Sequence, residues 1–183
     1  MAKLLIKSVG AGVAIAIGTL IYLNLLNWVG AVFFSIGLYL VLWFGLNLYT
    51  GKVGYIKSKR DVIDVLFVFL GNAIGCALMF CSFGNAAAIT IASTKLAQPL
   101  WLAAIRAILC GILIYAGVDQ YKKGKEYAPI IAVPAFILLG AEHSIADLCF
   151  FFAAGAFTPQ AALFILVIAV GNAIGSLLWR AIT

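Results

Sequence analysis

The chain has 183 residues, of which 66% are hydrophobic and 10% charged, and a formal net charge of +6; its mean hydropathy is +1.17. A soluble domain of this size must cover itself with polar groups, so the composition excludes one and implies an integral membrane protein in contact with a lipid bilayer. The cations flank apolar runs, so they read as topology and lipid contact, and no nucleic-acid partner is expected.

The apolar runs approach twenty residues and do not alternate with period two, which favours spanning helices over a barrel. Six spans are expected at 8–27, 29–49, 61–82, 98–118, 128–154 and 160–180, in a single domain because the connections are short. The first is too long for a signal core and is kept as a span. Lys3 and Lys7 precede it. Lys52, Lys57, Lys59 and Arg60 separate spans two and three, Lys122, Lys123 and Lys125 separate four and five, and Arg180 ends the sixth. The other connections, around Asn27 and Trp28, from Asn85 to Thr94 and from Phe157 to Gln160, carry no Lys or Arg. Ten of the twelve basic residues therefore share one side, which the positive-inside rule makes cytoplasmic, with both termini there. Trp28, Trp101 and Trp179 suit interfacial anchoring. Cys76, Cys81, Cys110 and Cys149 all fall in apolar segments and read as packing residues rather than disulfides.

Two spans look broken. Span two carries Gly45, Asn47, Thr50 and Gly51 where aliphatic residues would be ordinary; span five carries Pro134, Gly140 and then Glu142-His143. Non-helical backbone at membrane depth survives only where it is buried in protein or lines a cavity. Gly71-Asn72-Ala73-Ile74-Gly75 recurs as Gly171-Asn172-Ala173-Ile174-Gly175, three spans apart, so the copies cross in opposite senses. This is the pattern of an inverted three-plus-three repeat, and paired broken segments point to a transport site. The glycines read as close helix packing, whereas each asparagine needs a hydrogen-bond partner in hydrocarbon. Glu142, the only histidine (His143) and Asp147 sit inside one apolar run. Ionisable groups there are costly and usually face a protein interior or a wet pathway.

With Glu142-His143-Ser144-Ile145-Ala146, Leu48-Tyr49-Thr50 and the Gly-Asn elements at 71–72 and 171–172, the chain resembles the formate/nitrite transporter family over nearly its whole length. The resemblance implies an all-α, aquaporin-like bundle of six transmembrane helices with spans two and five broken, assembled as a homopentamer with one pore per protomer. It implies transport of a small monovalent weak-acid anion (formate, nitrite, hydrosulfide or a short monocarboxylate), crossing with or as its neutral acid, together with protons. Lys95 falls at the family's vestibule position and would attract the anion. Phe34, Leu38, Leu48, Tyr49 and Phe136 would narrow the pore. His143, Thr50, Glu142 and Asn172 would form its polar, proton-handling station. A bacterial or archaeal cytoplasmic membrane is the expected location, with no cofactor, metal or enzymatic role.

The sequence departs from the family's pattern in places. Tyr49 replaces Phe, Asp147 replaces Asn, and Gly111 stands where an asparagine partner for Asn172 is expected. Against the family's pattern the chain is also shorter, chiefly at its termini and loops, and on that resemblance an N-terminal gating helix is not expected in it. The competing expectation is an aquaporin-like facilitator of water, ammonia or urea, against which the sequence holds no Asn-Pro-Ala pair.

Overall fold

The computed structural model describes residues 1–80 and 85–183, and within them the chain is helical with no strand. The helices are α1 (Ala2–Leu25), α2 (Trp28–Trp43), α3 (Tyr49–Lys52), α4 (Lys59–Phe80), α5 (Ala86–Ala97), α6 (Leu100–Lys122), α7 (Ala128–Leu138), α8 (Ser144–Ala154) and α9 (Pro159–Ile182). A 3-10 turn, Val53–Tyr55, follows α3. Among the described residues α1, α4, α6 and α9 are long and apolar enough to cross a membrane. They coincide with the first, third, fourth and sixth expected spans. At 1.5 Å per residue they run about 33–36 Å, enough for a hydrocarbon core of about 30 Å.

The long helices pack in two pairs, α1 on α4 and α6 on α9. Their contact faces are small: a Cβ on Gly12 would lie 2.1 Å from the Asn72 carbonyl oxygen, and one on Gly111 2.2 Å from that of Asn172. Bare backbone approach of this kind is how helices associate in lipid. The asparagine expected at position 111 therefore has no room. The outer faces are bulky and apolar, with Leu66, Leu70, Ile74 and Leu78 of α4 and Leu166, Val170 and Ile174 of α9 exposed. That distribution, small inside and large outside, fits a surface solvated by lipid.

The second and fifth expected spans are each cut in two, and both cuts are built alike. After α2, Gly45 takes φ +57° and the Leu46 N–H reaches back to the Val41 carbonyl at 2.9 Å. After α7, Gly140 takes φ +67° and the Ala141 N–H reaches the Phe136 carbonyl at 2.9 Å. A left-handed glycine followed by such a six-to-one bond is the Schellman ending, and a Cβ would strain it. One asparagine then staples each gap. Asn72 Oδ1 accepts the Tyr49 N–H at 2.8 Å, while its Nδ2 donates to the Asn47 and Ser8 carbonyls at 2.8 and 2.7 Å. Asn172 Oδ1 accepts the Ser144 N–H at 2.9 Å, and its Nδ2 donates to the Glu142 and Ala107 carbonyls at 2.8 and 2.9 Å. Backbone groups that no helix could satisfy are thus satisfied at membrane depth.

Helix α5 occupies the stretch expected as a connection. Asn85 caps it, its Oδ1 accepting from the Ala87 and Ala88 N–H groups at 2.9 and 3.3 Å, and Pro99 separates it from α6. The end of the expected third span, Cys81 and Ser82, lies outside the described residues. Cys76, Cys110 and Cys149 are buried free thiols, with the Cys76 and Cys149 sulfurs 2.9 Å apart where α4 meets α8.

Candidate functional site

The two gaps bring His143 and Thr50 together. His143 is the N-cap of α8, its Nδ1 accepting the Ala146 N–H at 3.1 Å. An accepting Nδ1 carries no hydrogen, so the bonding pattern assigns the neutral ring with its proton on Nε2. Nε2 lies 2.9 Å from Thr50 Oγ1 in the first turn of α3, and both residues are buried. Donation from Nε2 to Thr50 leaves the threonine hydroxyl hydrogen free to turn towards another acceptor. In the other half of the chain Leu48 occupies the corresponding place, as N-cap of α3 between the two backbone groups bound by Asn72.

This pair lies in a partition between two cavities. The smaller, about 290 Å³, is bordered by Phe34, Phe136, His143 and Ala146, and by polar residues described below. The larger, about 440 Å³, is bordered by Leu38, Leu48 and Gly51, with Lys52, Asp61, Asp64 and Lys122 around its mouth. Phe136 stacks on the His143 ring at 5.4 Å, and Phe34 meets Phe136 edge-on at 6.0 Å. Leu38 lies one helical turn beyond Phe34 on α2. Aromatic rings therefore wall the cavity beside the histidine, and leucines wall the other cavity. A hydrated ion meets apolar walls at both.

The polar wall of the smaller cavity is a chain of charged groups. The Lys95 ammonium, from α5, contacts Glu142 Oε2 and lies 2.9 Å from Asp147 Oδ1. The other Glu142 oxygen accepts from Gln98 Nε2 at 2.6 Å, and Gln98 Oε1 accepts from Arg106 at 2.8 Å. Asp147 Oδ2 is buried without a partner among the described residues. Arg106, on α6, also accepts the Glu142 N–H on its backbone carbonyl at 3.3 Å. The gap that carries His143 is thereby tied to three different helices.

The residues singled out from sequence divide into four groups. His143, Glu142, Lys95, Phe34 and Phe136 border the smaller cavity, and Leu38 and Leu48 the larger. Thr50 stands between. Asn172 and Tyr49 border neither. Asn172 is spent on backbone groups, and the Tyr49 hydroxyl donates to the Ala169 carbonyl at 2.9 Å while its ring packs edge-on against Phe69. Gln98 and Arg106 carry no motif and were not read as site residues. The signal available was one arginine in an apolar run, where an unexplained charge implies a partner.

The family model "Formate/nitrite transporter" matches residues 1–183. Two solved structures have the same fold. One, an "FNT family ion channel", superposes with a TM-score of 0.89 at 21% identity, covering 99% of this chain and 88% of its own. The other, a "Pentameric formate channel with formate bound", gives 0.87 at 21% identity, covering 99% and 94%. At that identity the likeness is one of fold. No curated protein matches the sequence.

Proposed function

The chain belongs to the formate/nitrite transporter family, and from that premise we propose that it is a transmembrane channel or transporter for a small monovalent weak-acid anion. Formate, nitrite, hydrosulfide and short monocarboxylates are the substrate class. The observation that carries the reading is the hydrogen-bonded Thr50–His143 pair set in an otherwise apolar partition between two cavities. A bare anion entering that partition loses its hydration at severe cost, and the neutral acid does not. The anion therefore gathers in the smaller cavity and takes up a proton from the bulk solution there. It crosses as, or nearly as, the acid between Phe34 and Phe136 on one side and Leu38 and Leu48 on the other, and returns the proton to solution on the far side. The Thr50 hydroxyl hydrogen, left free by donation from His143 Nε2, replaces part of the water that the anion gives up.

The same reading takes the two halves as an inverted three-plus-three repeat of six spans, aquaporin-like in plan, in one domain. The paired glycine endings and asparagine staples support this. A homopentamer with one pore per protomer is proposed, by analogy with the pentameric channel of like fold. The chain carries its substrate and does not transform it.

Formate and glycerol uptake into proteoliposomes test the reading. Wild type is expected to pass formate, increasingly as the pH falls towards the acid's own pKa, and to exclude glycerol. His143→Phe is expected to assemble and not conduct. Glycerol uptake matching that of formate would replace this reading with the neutral-solute facilitator.

A further inference from the structure

We propose that Arg106, held by Gln98, is the group that captures the anion in the smaller cavity, binding its two oxygens through the guanidinium fork. The proposal rests on the transport reading above and names the site's cation. Two cations border this cavity, Lys95 and Arg106. Lys95 is spent: its ammonium contacts carboxylates of both Glu142 and Asp147, and its remaining open side faces the Phe150 ring at 5.6 Å. One ammonium between two carboxylates offers an arriving anion no surplus of positive charge.

Arg106 is the opposite case. Among the described residues no carboxylate lies within ion-pair distance of it, and its one side-chain partner is the neutral Gln98 oxygen at 2.8 Å. A guanidinium carries five N–H donors, so most of them remain available. Their planar fork matches the two oxygens of a carboxylate or nitrite, which a point-like ammonium does not.

Gln98 keeps Arg106 available. Its Nε2 is directed to Glu142, which accepts only, so Oε1 must turn to the arginine. The amide thus stands between a carboxylate and a guanidinium that would otherwise pair. The Arg106 carbonyl in turn receives the Glu142 N–H, so the α6 turn bearing the fork sits against the residue preceding His143. An anion released from Arg106 is already beside the partition.

Two measurements on the full-length protein decide it. In proteoliposomes at low ionic strength, Arg106→Gln is expected to raise the half-saturating formate concentration about tenfold, with Arg106→Lys between it and wild type. Gln98→Leu, which frees Arg106 to fall onto Glu142, is expected to follow Arg106→Gln. Independently of flux, formate or nitrite should protect Arg106 of the wild-type protein from phenylglyoxal, read by mass spectrometry. Protection without formate transport would uphold the site and remove the transport reading. Transport with an unchanged half-saturating concentration in Arg106→Gln, or with no protection, would overturn the site and leave the transport reading standing.

Discussion

One ammonium lies between two carboxylates at Lys95, and the second of these, Asp147, decides the charge of the cavity. With both acids ionised the trio carries a net negative charge, and Asp147 Oδ2 has no partner among the described residues to offset its burial. Asp147→Asn removes one negative charge and keeps the shape. Formate uptake at low concentration and low ionic strength should therefore rise severalfold, and the gain should fade as salt is added, because the Debye length shortens to about 8 Å at physiological ionic strength. An Asp147→Asn initial rate equal to wild type at low salt would show that one proton already makes the trio neutral. Replacing Lys95 by Ala has the opposite sign: two acids lose their counter-ion, and uptake falls through repulsion. Glu142 and His143 stood out in the sequence as ionisable groups in an apolar run, and Lys95 was expected at the vestibule from the family resemblance. The sequence did not yield their pairing, because Lys95 and Glu142 are 47 residues apart and only the fold brings α5 onto α8.

At the scale of the element, the broken helices stand or fall with Asn72 and Asn172. Each satisfies one N–H and two carbonyls that would otherwise be bare at membrane depth. At about 1 kcal/mol for each net hydrogen bond, removing the side chain costs about 3 kcal/mol, and more where the orphaned group stays buried. Asn72→Ala and Asn172→Ala should each lower the thermal midpoint in detergent by several degrees and leave less of the assembled oligomer on size exclusion. A midpoint within a degree of wild type for either would mean that water or neighbouring backbone fills the gap. The breaks were legible from Gly45 and Gly140, since left-handed endings favour glycine and so leave a mark in sequence, whereas α7 runs through Pro134 to Leu138. The role of the asparagines was legible only in half: the need for a partner was evident, but not that the partners would be the backbone groups of the breaks. Tyr49 was expected at the constriction from the family's Leu-Phe-Thr pattern; the sequence carried no sign that its hydroxyl would donate to the Ala169 carbonyl, 120 residues away. Helix α5 escaped because its twelve residues are apolar but too short for a span.

Across the whole molecule, the charges and the cavities share one axis. The larger cavity opens among Lys52, Asp61, Asp64 and Lys122, at the end of the molecule that carries the basic connections. The smaller opens at Lys95 and Arg106, the two basic residues outside those clusters. If cytoplasmic loops hold the excess of Lys and Arg, the larger cavity faces the cytoplasm, and the ion-paired cavity with its arginine fork faces out to meet the anion. Both termini then lie inside. Cysteines introduced at Lys57 and Lys123, which are exposed, and at Gln160 on the far side test this against the unmodified chain, whose Cys76, Cys110 and Cys149 are buried. In intact cells a membrane-impermeant maleimide should label Gln160→Cys alone, and the two lysine sites only after permeabilisation. Labelling of Lys57→Cys or Lys123→Cys from outside would reverse the molecule. The arginine fork would then serve export, gathering its anion from the cytoplasm.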